Sequence, residues 1–322
     1  MSRQKVPMVL ATLVGALLLA APLYLTSSYY QGRLTDILIA CISALALWIL
    51  MVVGEISFGH AGFMCIGAYT VALLMKRSDI SFWLALPAGG LIPAIVAFFI
   101  GTIGLRRVRG VYFFMFSLAV GESIRLVVLN WTGFTGGVEG IADIPRPDLF
   151  GFSFSSSASF YYLCLAIFLI TLGIMFVTWQ SRIGDLFRAI HSSEKLAAAS
   201  GISPFAYRME AWLMCCFFAG IAGGLGASHI RFTGPGEFVP LKSMYPLAHI
   251  IIGGQASPFA PLIGTTLMML VSTVTMDIGG APDWFEPLIY GLVLVGVRIG
   301  LRGGVWEFLG KLFSTSKVPV KG

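Results

Sequence analysis

Apolar runs of helical length fill most of the chain, and short polar stretches punctuate them. Residues 9–25 correspond to about 25 Å of helix at 1.5 Å per residue, which just spans the hydrocarbon core of a bilayer. Further apolar runs follow at 37–53, then up to Met75, and at 82–103, 111–129, 160–178, 209–228, 246–276 and 285–297. The run at 246–276 is too long for one clean helix. The sequence Gly-Gly-Gln-Ala-Ser-Pro at 253–258 interrupts it, so two short halves are expected there. The pattern predicts an all-α polytopic membrane protein: one domain over residues 1–322, a bundle of about eight to ten transmembrane helices with discontinuous segments.

Polar positions inside this pattern are the informative ones. Residues 54–63 join two apolar runs without a conventional loop, and they carry Gly54, Glu55, Ser57, Gly59, His60 and Gly62. Irregular backbone at membrane depth survives only where protein buries it or water reaches it. Two readings stand evenly. In one, a broken or re-entrant helix borders a translocation path, with Glu55, Ser57 and His60 as polar candidates. In the other, a tight turn lets glycines pack closely while His60 bonds to backbone. Glu122 and Arg125, three residues apart, share a helix face and can neutralise each other; a structural ion pair is favoured over a solute contact. His249, just before the interruption at 253–258, either faces the path or bonds within the bundle.

Residues 180–208 are the long mixed-charge stretch between two spans. Residues 189–200 are alanine-rich and helix-favouring, Gly201 is a stop, and Pro204 starts the next element. A short helix lying across the membrane surface in this way suits docking into a groove on another protein. The face made by Ala219, Gly220, Gly223, Gly224 and Ala227 is expected to serve internal helix packing.

Charge orients these spans. Arg3 and Lys5, then Arg106, Arg107 and Arg109, then Arg298, Arg302, Lys311, Lys317 and Lys321 place both termini in the cytoplasm. Residues 130–159, 229–245 and 277–286 become outer connections. Lys76, Arg77, Arg231 and Lys242 fit this bias less well. The chain is 57% hydrophobic and 11% charged, against about 25% charged in soluble domains, so it is not a soluble enzyme. Its net charge of +6 reports orientation and contact with anionic membrane lipid rather than nucleic acid. The five cysteines lie in apolar runs without metal-ligand spacing, and neither a nucleotide-cradling P-loop nor a catalytic constellation is present. Few ionisable groups lie inside the spans, which argues against an ion-coupled pump.

Several motifs occur in order along nearly the whole chain. They are residues 54–69, with Ser-Phe-Gly-His at 57–60 and Gly-Ala-Tyr at 67–69; Arg-Gly-Val-Tyr at 109–112; Thr-Gly-Gly at 135–137 with Gly140 and Ile141; 184–190 with Ala198, Gly201 and Ile202; Ala-Gly-Ile-Ala-Gly at 219–223; and Ile-Gly-Gly at 252–254. In this order the chain resembles the LivM-type permease subunits of ABC importers for branched-chain amino acids. The resemblance implies that Gly184, Arg188, Ala189, Ile190, Glu194, Ala198 and Gly201 belong to the element that contacts cytoplasmic ATPases. It implies as partners two ABC ATPase subunits, a second homologous permease and a periplasmic solute-binding protein, in the inner membrane. ATP is then consumed by the partners, and this chain holds no cofactor or metal. Two departures stand out: His191-Ser192-Ser193-Glu194 follows the Arg-Ala-Ile, and Gln255 to Pro261 replaces a glycine-rich turn. They bear on ATPase identity and on cargo, for which urea, short amides and aromatic acids are the alternatives to leucine, isoleucine and valine. An ATP-independent transporter or channel is the competing class.

Overall fold

The computed structural model describes residues 27–108, 110–149, 152–154, 156–277, 285–300 and 304–313. The expected first span at 9–25, the basic residues Arg3, Lys5, Arg109, Arg302, Lys317 and Lys321, and residues 278–284 of the expected third outer connection lie outside the described residues. Thirteen helices occur among those described: α1 (Ser28–Val52), α2 (His60–Arg77), α3 (Phe82–Arg107), α4 (Val111–Asn130), the single turn α5 (Thr132–Thr135), α6 (Ser157–Gln180), α7 (Arg182–Ser192), α8 (Glu194–Ala199), α9 (Pro204–Ile230), α10 (Met244–Gly253), α11 (Ala260–Asp277), α12 (Phe285–Gly300) and α13 (Gly304–Phe313). Of these, α1, α3, α4, α6 and α9 are long and apolar enough to cross a membrane. The protein is an all-α polytopic membrane protein.

Helix α1 is the axis of the bundle. Its residues from Leu45 to Leu50 are wholly buried, and it packs against α9, α6, α11 and α10. A helix walled on all sides must be apolar all round, and from Ile37 to Val52 this one is, apart from the buried Ser43. It begins at Ser28, earlier than the apolar run at 37. Arg33 and Asp36 sit 3.9 Å apart one turn from each other, and Asp36 lies 3.4 Å from His229 of α9. These charges end the hydropathy signal without ending the helix.

Helices α2, α3 and α9 meet backbone to backbone. A β-carbon at Gly67 would overlap the Gly220 carbonyl, one at Gly220 would overlap the Gly89 carbonyl, and one at Gly223 would overlap the Met64 carbonyl. The small-residue face of α9 is therefore spent on internal packing, as its spacing predicts. Without a hydrophobic drive between helices in lipid, such close approach supplies the dispersion contact that holds the bundle. Helix α3 runs unbroken through Pro87 and Pro93.

The connections at 131–156 and 231–243 are knitted together. Strands β1 (Ile141–Ala142) and β4 (Phe232–Thr233) pair antiparallel, with Ile141 opposite Thr233. Strands β2 (Asp148–Leu149) and β3 (Phe152–Ser153) form a second small ladder. Gly140 lies at φ +67 against the backbone of Thr233 and Gly234, so no other residue fits there. Three of the four poorly fitting cations are explained by this knot. Lys76 donates to the Ala142 carbonyl at 2.6 Å, Arg77 to Gly133 at 3.3 Å and Arg231 to Ile144 at 3.4 Å.

The interruption at 253–258 does divide the long run into α10 and α11. The two halves cross closely, because a β-carbon at Gly253 would overlap the Ala260 carbonyl and one at Gly264 the His249 carbonyl.

Candidate functional site

Helix α6 ends at Gln180, and Ser181 caps the next helix by accepting from the Ile183 N–H at 3.2 Å. Gly184 is buried where a β-carbon would overlap the Trp179 carbonyl, which lets α7 fold back against the end of α6. Arg188 fixes that fold. It donates to the Trp179 carbonyl at 3.1 Å and to Asp185 at 2.6 Å, with its guanidinium 5.1 Å from the Trp179 ring centre. Phe187 and Ile190 point inward while Ala189 faces outward.

The expected helix over 189–200 is two helices. Ser193 takes an extended conformation, φ −161 and ψ 102, and its side chain caps α8 by accepting from Leu196. Serine competes with helical backbone for hydrogen bonds, and paired serines at 192–193 favour the break. Gly201, at φ +82, stops α8, and Pro204 opens α9 as the sequence predicts. On α8, Ala197 is buried, whereas Leu196 and Ala198 are exposed.

Two ties join α7 and α8 to the end of α1. His191 Nδ1 lies 3.2 Å from the Val52 carbonyl, with its ring against Gly54, whose φ of +94 requires glycine. Arg208, buried at the start of α9, is ion-paired with Glu55, and its Nη1 lies 3.6 Å from Glu194 of α8. Glu55 and Glu194, from segments far apart in sequence, thus share one guanidinium.

Beyond Glu55 the backbone stays non-helical until His60. Ser57 is buried and accepts from the Gly59 N–H at 3.3 Å. Phe58 N–H donates to Ser117 of α4 at 2.9 Å. His60 is buried, with Nε2 at 2.9 Å from Ser43 of α1 and Nδ1 at 3.7 Å from the Cys215 sulfur of α9. Its partners are side chains rather than backbone. Ser43 lies roughly 13 Å back from the end of α1 at 1.5 Å per residue, so α2 starts near mid-depth. The Ala61 N–H donates to Ser243 at 2.9 Å, which draws the connection before α10 down to the same level. Helix α10 then has ten residues, about 15 Å, and beyond its end Trp48 of α1 donates to the Gln255 carbonyl at 3.2 Å. The 18-residue α2 and the short α10 therefore begin side by side inside the bundle, with their irregular lead-ins satisfied by serines, as apolar surroundings demand.

The five path candidates separate. Glu55, Ser57, His60 and His249 are buried, and His249 has no hydrogen-bond partner at either ring nitrogen among the described residues. Glu122 is different: half-buried, it pairs with Arg125 at the edge of the open face of α4. Gly121, one turn before Arg125 on the packed side of α4, abuts Gly59 and Gly62 at the start of α2. The pair therefore lies at the level of the break. A cleft of about 560 Å³ also opens beside α7, lined by Val52, Arg188, His191, Gln255 and Glu307.

Arg208, Ser43, Ser117 and Ser243 carried no sequence signal for these roles. Arg208 lies at the edge of the mixed-charge stretch 180–208, and its acidic partner Glu55 is 153 positions away.

The family described as branched-chain amino acid transport system, permease component, matches residues 29–298. The chain is similar to the high-affinity branched-chain amino acid transport system permease protein LivM of Salmonella typhimurium and to that of Escherichia coli. It is 32% identical to each over 248 residues, which cover 70% of this chain and 58% of the relative. It is also similar to the probable branched-chain amino acid transport permease protein LivH of Methanocaldococcus jannaschii, at 24% identity over 284 residues, 81% of this chain and 87% of the relative. The chain thus spans 58% of the length of the LivM relatives it matches. No solved structure matches it.

Proposed function

This chain belongs to the family of branched-chain amino acid transport-system permease components, and on that footing we propose that it is the membrane-spanning permease subunit of an ABC importer for leucine, isoleucine and valine. Its partners are two cytoplasmic ATPases, a second homologous permease and a periplasmic solute-binding protein. It lies in the inner membrane with both ends in the cytoplasm. The chain catalyses no reaction and holds no cofactor; ATP is used by the partners.

The observation that carries this reading is the double tie between α7–α8 and the segment after α1. Gly184, Arg188, Ala189, Ile190, Glu194, Ala198 and Gly201 form or shape a compact element with an outward face at Ala189, Leu196 and Ala198 for an ATPase to press. The cleft beside Arg188 and His191 leaves it room to move. A displacement of α7–α8 pulls on Val52 through His191 and on Glu55 through Arg208. The backbone of residues 53–59 is not helical, so it absorbs the change as a hinge and tilts α2 against α4. The partner supplies the energy, and the bundle converts it into alternate access.

The test is ATP-dependent uptake by the assembled complex in proteoliposomes, offering leucine, isoleucine, valine, urea and a small aromatic acid, each with its cognate binding protein. The reading predicts uptake of the three branched-chain amino acids that requires ATP. Uptake without the ATPases contradicts the class, and ATP-driven uptake of urea or an aromatic acid alone contradicts the cargo.

A further inference from the structure

Helix α4 is long and apolar enough to span the membrane, yet most of it is open on the surface of the chain. Halfway along, at the edge of that open face, sit Glu122 and Arg125, with 31% and 18% of their side chains exposed. Gly121 places them level with the break where α2 begins. Ionisable side chains at such depth are costly against lipid and almost always face a bundle interior or a water-filled cavity. The connection at 235–243, which packs against α4, brings a second charged pair to the same region, Glu237 and Lys242 at 3.8 Å. Lys242, the remaining cation that fitted the charge bias poorly, immediately precedes Ser243, which binds the start of α2. This part of the surface therefore meets water or polar protein rather than acyl chains.

We propose that Glu122 and Arg125 form a transient subsite for a zwitterionic α-amino acid, the guanidinium of Arg125 donating to the α-carboxylate and the carboxylate of Glu122 accepting from the α-ammonium. The inference rests on the amino-acid importer reading given above. Charge complementarity carries it: a zwitterion exchanges one intrahelical pair for two intermolecular ones, and net charge stays at zero throughout. The planar guanidinium matches a carboxylate with two parallel hydrogen bonds. Met115, Ala119 and Leu126 lie exposed at helical spacing around Glu122, and they provide apolar surface for a branched side chain. Because Glu122 and Arg125 compete with the solute for each other, the site binds weakly. Weak binding suits a path that must also release its cargo.

The experiment measures labelled leucine imported per ATP hydrolysed by the full complex in proteoliposomes, with co-purification of all subunits as the assembly check. The variants are Glu122→Gln/Arg125→Gln and the exchanged pair Glu122→Arg/Arg125→Glu. The site predicts that both assemble and that both import about tenfold fewer leucines per ATP, because exchange reverses the zwitterion against the apolar flank. Wild-type yield from the exchanged pair means that the charges serve structure alone and overturns the site, as does wild-type yield from the neutral pair. Loss of the second permease from either variant means that this face is a subunit contact, which also overturns it. Absence of ATP-dependent leucine uptake by the wild-type complex overturns instead the importer reading on which the site rests.

Discussion

Glu55 and Arg208 form a buried ion pair across 153 positions of sequence, and the same guanidinium faces Glu194 of α8 at 3.6 Å. This is how the segment interrupting the membrane helices is fastened to the segment lying outside them. Removing one partner of a buried pair costs about 3–5 kcal/mol because the other charge is left uncompensated. Arg208→Met therefore lowers the thermal midpoint of the purified complex sharply. Glu55→Gln/Arg208→Met recovers most of that loss, yet hydrolyses ATP with little uptake, because the tie is gone. Full uptake by the double variant would show that the pair carries stability but no coupling.

Ser193 divides α7 from α8 by capping the second helix. Losing such a cap costs about 1 kcal/mol. Ser193→Ala removes that cap and favours a continuous helix through 193, which takes Glu194 away from Arg208. Uptake per ATP is expected to fall severalfold, with the thermal midpoint moving by only a few degrees.

Gly220 sits between Gly67 and Gly89 where helix backbones touch. Gly220→Val forces α9 away from Gly89 and Pro93 of α3, and overpacking of this kind costs about 1–3 kcal/mol or more. The expected result is a large loss of folded protein after detergent extraction. Gly226→Ala, at a helical glycine whose β-carbon meets nothing within 4 Å, serves as the tolerated control.

His249 is buried with both ring nitrogens lacking partners among the described residues. A buried polar group without a hydrogen bond costs about 1–3 kcal/mol. His249→Leu is expected to raise the thermal midpoint and to leave uptake intact. A lower midpoint together with lost uptake would instead identify the imidazole as part of the path.

Much of this architecture was legible in the sequence because its causes are local. The glycines and proline at 253–258 divide α10 from α11, the i,i+3 spacing pairs Glu122 with Arg125, and Gly201 with Pro204 bounds α8. The interruption at 54–59 was legible as unusual, but its partners were not. Ser43, Ser117 and Ser243 are ordinary polar residues in three different segments, and only the fold brings them to His60, Phe58 and Ala61. Arg208 was hidden by its charge, since a cation next to a span is already explained by orientation. Ser193 was hidden by the alanines after it, which favour helix strongly enough to mask a cap.

The central claim is that α7–α8 and the segment after α1 move together. The most direct check is the distance between spin labels at Ala198→Cys and Ile56→Cys, both exposed, in the complex without nucleotide and with ATP trapped. The five native cysteines are buried, which disfavours their labelling. The account predicts an unchanged 198–56 distance between the two states, while 56 moves relative to a label at Ala119→Cys on α4. A 198–56 distance that changes while 56–119 stays fixed would contradict it.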